Sequence, residues 1–331
     1  MPQKHIIIVH GRGPKPSPRV LGGLLKRALI TGLARVDRDA ARAVEDAHVK
    51  TSLAYYGDLC NDFLVKAEPS LGAQMVERRG RLYEKPDRDA DDLERLLERP
   101  TSRHTKEDYA RLLKQQRNRR FLDDVMRVVS PIASITGLGV YAISRLFPDL
   151  GAYLLTRRWG SPIRSRLQER LRPALARGDD VTLLTHSMGS IVAYDVLWKL
   201  SRLSEYRQLH EKKVSLWLTV GSPLGDSSIR GCLYDSNEGE DGRYPANVHH
   251  WVNVAAQDDF VAHDGTAADD FNDMMRYKLV QRVYDLPRIQ TFWVGEAGVN
   301  PHKVYGYLNH PAFARVLASW IRGGKWGRRL R

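Results

Sequence analysis

The stretch Val181-Thr-Leu-Leu-Thr-His-Ser187-Met-Gly-Ser-Ile-Val-Ala-Tyr-Asp195 decides the fold. Its first residues, Val181 to Thr185, are aliphatic or β-branched and suit a buried strand. Ile191, Val192, Tyr194, Val196 and Leu197 then recur in a helix-compatible pattern. Only His186-Ser187-Met188-Gly189 is left between the two patterns to make a turn. A strand that becomes a helix in so few residues turns sharply and pushes the residue at the tip, Ser187, out of the sheet. A serine hydroxyl is a weak nucleophile at neutral pH until a base takes its proton. At this tip a histidine can reach it, and the Met188 N–H lies at a helix N-terminus, a place suited to an oxyanion.

Further along the chain, other apolar runs end in turns of the same kind. His5-Ile-Ile-Ile-Val-His10-Gly-Arg-Gly13 is a continuous apolar run that suits a central parallel strand buried on both faces. It contains neither G-K-[ST] nor G-x-G-x-x-G, so it is not read as a phosphate loop. Leu21 to Val44 has helical spacing, and Val49 to Tyr56 reads as a strand. Ile163 to Leu171 reads as the helix feeding the strand at Val181. Val214 to Val220 is an apolar strand ending in Gly221-Ser-Pro-Leu-Gly225, and His250 to Ala256 is the next. Ile289 to Val294 reads as the last strand, and Pro311 to Arg322 as a closing helix. Six strands separated by helical stretches predict a doubly wound, mostly parallel α/β sheet. The glycine-rich exits all fall at carboxyl ends of strands, where such sheets gather their functional groups.

The elbow, Thr185-His186-Ser187-Met188-Gly189, resembles the G-x-S-x-G nucleophile elbow of the α/β-hydrolase superfamily, with threonine in the place of the first glycine. The resemblance covers the strands and turns of residues 4–60 and 160–322, and its flavour is that of the lipase-like or GPI-inositol-deacylase-like branch. It implies an α/β-hydrolase core made of residues 1–60 and 160–331. It also implies a serine nucleophile and, later in the chain, an acid and then a histidine. His10-Gly11 resembles the loop that supplies the second oxyanion-hole N–H, which would be that of Arg12 beside Met188. Gln257-Asp258-Asp259-Phe260-Val261 resembles the acid turn of these enzymes. With Ala256 in the glycine place the spacing selects Asp259, with Asp258 as the alternative. His302 lies on a loop after the last strand, with Tyr305 in a position where the family often has an aromatic residue. His310 is the alternative base. Such chemistry requires no metal and no cofactor, and the aspartates and His263 between Asp258 and Asp270 are read as an acidic loop that binds none.

Residues 61–159 fall outside the resemblance and read as a helical insertion. Charges crowd at Glu77-Arg78-Arg79, Asp87 to Glu98 and Lys114 to Arg120, with apolar Leu93, Leu96, Leu97, Leu112 and Leu113 between them. This pattern predicts one or two exposed amphipathic helices, with Pro86 and Pro100 as breaks. Val128 to Ser144 carries no charge but is interrupted by Pro131, Gly137 and Gly139. It is read as a helix covering the mouth of the site, a lid, with a plain buried helix as the alternative, rather than a membrane span.

The composition fits one large α/β domain with an insertion, or two domains: 331 residues, 42% of them hydrophobic. The net charge of +13 favours anionic partners. Without interleaved aromatics in the basic stretches, nucleic acid is the less favoured of these, and peripheral contact with an anionic membrane the more favoured. Two cysteines, Cys60 and Cys232, make neither a disulfide framework nor a metal-binding spacing, as expected of a reducing compartment. The run Ile6 to Val9 is too short for the core of a signal peptide, so a cytoplasmic protein is expected. The functional expectation is a serine hydrolase, lipase- or esterase-like, acting on a small-molecule or lipid ester. An amidase, thioesterase or peptidase on the same fold is an alternative. Another is a non-catalytic protein of that fold that uses its basic surface on membrane or nucleic acid.

Overall fold

The computed structural model describes residues 2–85, 87–116, 147–295 and 298–324. The segments read as a lid, Val128 to Ser144, and as a basic helix end, Arg117 to Arg120, lie outside the described residues, as do Pro86 and the chain end from 325 on.

Ten strands occur in chain order among the described residues. They are β1 Lys4–Val9, β2 Lys50–Ala54, β3 Met75–Arg78, β4 Arg81–Glu84, β5 Asp180–His186, β6 Val214–Val220, β7 Val248–Ala256, β8 Arg282–Ile289, β9 Val294–Gly295 and β10 Gly298–Val299. Six of them form one sheet in the order β2-β1-β5-β6-β7-β8. Every neighbouring pair in it is parallel.

Side chains alternate across this sheet, as strand geometry requires. Ile7 and Val9 enter one apolar core with Leu183, Trp217 and Trp251. That core is closed by the helices Arg157–Arg177 and Met188–Arg202. Ile6 and Ile8 enter the other core with Leu184, Leu218 and Val252, under the helices Pro18–Ala34 and Pro311–Ile321. Burial on both faces is why these strands read as unbroken apolar runs. The chain is therefore an α/β protein with a parallel sheet flanked by helices.

Strand order places the site. From β1 the chain crosses outward to β2, and β5 then lies on the other side of β1. Open parallel sheets form a crevice outside their carboxyl ends where the order reverses in this way. The register aligns those ends: Val9 lies beside Thr185, His186 beside Val220, and Val220 beside Val254. The turns that follow β1, β5, β6 and β7 thus emerge close together.

Several expected elements differ from those observed. The helical stretch from Leu21 to Val44 is two helices, Pro18–Ala34 and Arg38–Glu45, because Asp37 turns the chain and caps the second through Ala40 N at 3.0 Å. The sixth sheet strand is Arg282–Ile289, not Ile289 to Val294. It is an edge strand with exposed Arg282, Pro287 and Arg288, so it has no continuous apolar run. Ile289, Phe292 and Trp293 are apolar because they pack into the second core.

The insertion holds more than exposed helices. The charged stretch around Glu77 is an antiparallel hairpin, β3 with β4, turning at Arg79 and Gly80. Both turn residues have positive φ, 54° and 72°, as a two-residue hairpin turn demands. The helices Asp87–Leu97 and Lys106–Gln116 do form, yet Leu93, Leu96 and Tyr109 are buried in the second core. The boundaries at 60 and 160 fall inside the helices Gly57–Ala67 and Arg157–Arg177. No helix among the described residues is long and apolar enough to cross a membrane.

Candidate active site

Ser187 stands between β5 and the helix Met188–Arg202 with φ 55° and ψ −131°. A non-glycine residue in such a conformation costs about 1–3 kcal/mol and persists only where its surroundings hold it. Three features hold it here. The Ser187 N–H donates to Val220 O at 3.2 Å, and Ser187 O accepts from Ser190 N at 2.8 Å. Thr185, in the place where the elbow pattern has glycine, is fully buried and accepts the indole N–H of Trp217 at 3.1 Å. Its hydroxyl also meets Ser190 Oγ at 3.1 Å.

Two glycines let the β1 exit close onto this turn. A Cβ on Gly189 would stand 2.5 Å from His10 O, and one on Gly11 would stand 2.8 Å from Ser187 Cβ. Neither position has room for a side chain.

The turn after β7 and the loop after β10 bring Asp259 and His302 together. Asp259 is buried, and its Oδ2 lies 2.9 Å from His302 Nδ1, with Oδ1 at 3.0 Å. A carboxylate only accepts, so Nδ1 carries a proton; in the neutral ring that leaves the lone pair on Nε2. Asp259 also accepts from Val261 N at 3.0 Å, Ala262 N at 3.3 Å and Tyr307 Oη at 2.5 Å. Burial alone would raise its pKa. The facing His302 charge and these donors outweigh that and hold the carboxyl below its ordinary value.

His302 is fixed from behind by its backbone. Its N–H donates to Asn300 Oδ1 at 3.0 Å, and its carbonyl accepts from His186 Nε2 at 2.8 Å. The His186 ring lies 4.7 Å from that of His302. Burial, then the neighbouring His302 charge, pushes the His186 pKa well down, so this ring stays neutral and donates through Nε2.

The two alternatives lie elsewhere. Asp258 is exposed and has φ 64°; it is the turn residue that swings Asp259 inward and makes no hydrogen bond to His302 among the described residues. His310 caps the helix Pro311–Ile321, its Nδ1 accepting from Ala312 N at 3.1 Å. Burial, with the nearby His104, Arg315 and Arg35 charges, pushes it down to about 3. In the structure it serves as a helix cap, away from the cavity that holds Ser187. Tyr305 lines the cavity, but the aromatic residue that touches the acid is Tyr307.

The β1 exit supplies the remaining parts. His10 is buried, and its Nε2 accepts from Tyr56 N at 3.1 Å while its Nδ1 lies 2.8 Å from Gly11 O. A backbone N–H can only donate and a carbonyl can only accept, so His10 is the neutral Nδ1–H tautomer. Burial, with the Lys15 charge, takes its pKa down to about 3, which agrees. The Gly11 carbonyl is thereby turned to the His10 ring. Because the peptide is planar and trans, the Arg12 N–H points the opposite way. Among the described residues it has no acceptor in the protein. Asp149, fully buried, accepts from Arg12 Nε at 2.8 Å and Gly13 N at 2.9 Å.

Ser187, Met188, Arg12 and His302 line one cavity of about 220 Å³ whose apolar walls include Leu21 and Pro223. No hydrogen bond joins Ser187 Oγ to His302 Nε2 among the described residues in this conformation; such contacts commonly tighten only with substrate bound. The elements thus bring Ser187, Asp259, His302, Arg12 and Met188 to one place, and leave Asp258 and His310 outside it.

Sequence reasoning missed the residues that orient these groups. His186 was in view only as an elbow residue, Tyr307 stood two places past the expected aromatic, and Asp149 lay in the insertion. The signal available for Asp149 was a lone carboxylate inside the apolar run Leu146 to Leu155. Among the described residues no group of three or more His, Cys, Asp or Glu side chains is arranged to hold a metal ion. No protein-family model, no curated protein and no solved structure matches this chain.

Proposed function

We propose that the chain is a serine hydrolase of the α/β-hydrolase type that cleaves a carboxylic ester through an acyl-enzyme. One observation carries the proposal. A serine held at positive φ on a strand–helix turn shares a cavity with an imidazole whose far nitrogen is bonded to a buried carboxylate. The reversal of strand order beside that turn supports the fold assignment.

In this mechanism His302 Nε2 takes the proton of Ser187 Oγ as the oxygen attacks the carbonyl carbon. Asp259 holds the ring in the required tautomer and stabilises the imidazolium that forms. Negative charge on the former carbonyl oxygen meets the N–H groups of Met188 and Arg12. The imidazolium then gives its proton to the leaving alkoxide, and an acyl group remains on Ser187. Water then attacks the acyl carbon, losing a proton to His302, and the imidazolium returns that proton to Ser187 Oγ as the bond to the acid breaks. The Met188 N–H is among the four at a helix start that have no intrahelical acceptor, which suits it to this role.

The test is labelling by a fluorophosphonate probe together with hydrolysis of p-nitrophenyl esters. Wild type is expected to label on Ser187 and to turn over the ester, and Ser187→Ala to do neither. Folded wild type that takes no label and shows no turnover on a panel of esters would refute the proposal.

A further inference from the structure

Lys15 sits at the end of the β1 exit, and its side chain folds back under its own loop. Its Nζ donates to three successive carbonyls: Arg12 O at 2.6 Å, Gly13 O at 3.2 Å and Pro14 O at 3.1 Å. An ammonium has three N–H groups, so all three are used. The Lys15 backbone is anchored as well. Its N–H donates to Asn61 Oδ1 at 2.9 Å, and its carbonyl accepts from Asn61 Nδ2 at 2.8 Å and from Glu84 N at 2.9 Å.

This arrangement has an electrostatic consequence for the neighbouring peptide. Three carbonyl oxygens gathered on one cation are kept from turning their negative ends toward the place where an oxyanion would form. Asp149 holds the same loop from the other side through Arg12 Nε and Gly13 N. The Arg12 N–H belongs to the peptide immediately before the first of these carbonyls.

We propose that Lys15 is a positioning residue for the oxyanion loop, its ammonium holding the carbonyls of residues 12–14 back so that the Arg12 N–H is presented to the cavity. This rests on the serine-hydrolase proposal above. It assigns Lys15 no contact with substrate.

The charges around Lys15 set its pH range. Burial, then the Lys303 ammonium, lowers its pKa to about 8. Glu84 at the end of β4 and Asp149 in the helix Pro148–Leu155 oppose that shift. The Cys60 thiol, on the helix Gly57–Ala67, is kept protonated by its own burial, and Tyr55 stays a neutral phenol for the same reason. Arg12 remains paired with Asp149. As pH rises through about 8 the ammonium loses a proton, the three-way hold weakens, and the rate falls.

The experiment follows kcat and KM on a p-nitrophenyl ester, and the rate of fluorophosphonate labelling, for wild type, Lys15→Met and Lys15→Arg from pH 6 to pH 10. Lys15→Met is expected to lose about tenfold or more in kcat at little change in KM, and to label correspondingly slowly; loss of a whole oxyanion donor costs about a hundred- to a thousandfold. Wild type is expected to lose rate above about pH 8. Lys15→Arg, which cannot lose its charge in this range, is expected to keep its rate there. A Lys15→Met enzyme with wild-type kcat would overturn the proposal. So would a wild-type rate that stays flat to pH 10, which needs no variant to fold. An alkaline decline left unchanged by Lys15→Arg would overturn it too. Wild type that neither labels nor turns over would instead overturn the hydrolase assignment on which it rests, so the two failures are distinguishable.

Discussion

At the scale of single residues, Asp259 is where geometry, hydrogen bonding and charge meet. Its carboxylate receives His302 Nδ1, Tyr307 Oη and two backbone N–H groups in a buried site. Replacing it by asparagine keeps the shape but offers His302 a different partner, and the wrong tautomer then carries its lone pair away from Ser187. Asp259→Asn is expected to lower kcat by about 10⁴-fold, measured on a p-nitrophenyl ester, whereas exposed Asp258→Asn stays near wild type. The same carboxyl makes a pH prediction for stability. Its native pKa lies below the ordinary value, so its stabilisation is complete above the ordinary value of 3.8 and is lost as pH falls through the lowered one. The difference in melting temperature between wild type and Asp259→Asn should therefore be largest at neutral pH and shrink below about pH 4. A gap that widened in acid would contradict the assigned direction.

At the scale of elements, burial decided what could be read in advance. The strands β1, β5, β6 and β7 are covered on both faces and stand out as apolar runs. The edge strand β8 is half-exposed and carries Pro287, which only an edge position tolerates, so its run was invisible. The proposed nucleophile, acid and base, Ser187, Asp259 and His302, are legible because each lies on a turn after a strand and because a turn needs particular residues. Their orienting partners are not, since Tyr307, Asp149 and Tyr56 reach the site through tertiary folding and leave no local pattern, and His186, though inside the elbow, meets His302 only in the folded chain. The insertion helices show a similar limit: a charged amphipathic sequence states which face is apolar but not what covers it. Because Leu93 is fully buried in the second core, Leu93→Ala is expected to cost about 2–5 kcal/mol, read as a lower midpoint in urea denaturation. A leucine on a solvated helix would cost less than about 0.5 kcal/mol.

At the scale of the whole molecule, the net charge of +13 acts over distances that no single contact controls. Many of the cations are already paired. Arg322 meets Asp37, Arg230 meets Asp270, and Arg103 and Arg111 share Asp108. Such pairing fixes individual side chains but does not change the net charge, so the summed positive field remains. A surface of this kind is attracted to anionic lipid headgroups by a force that salt screens. The screening length falls from about 10 Å at 0.1 M to about 3 Å at 1 M. Cosedimentation is therefore expected with vesicles containing phosphatidylserine at low salt, with release as salt approaches 1 M, and with no retention on phosphatidylcholine alone. If the field is the whole cause, Ser187→Ala should bind these vesicles as wild type does, because the hydroxyl carries no charge. Retention that survives high salt or ignores lipid charge would instead mean that apolar insertion, not the electrostatic field, holds the protein at the surface.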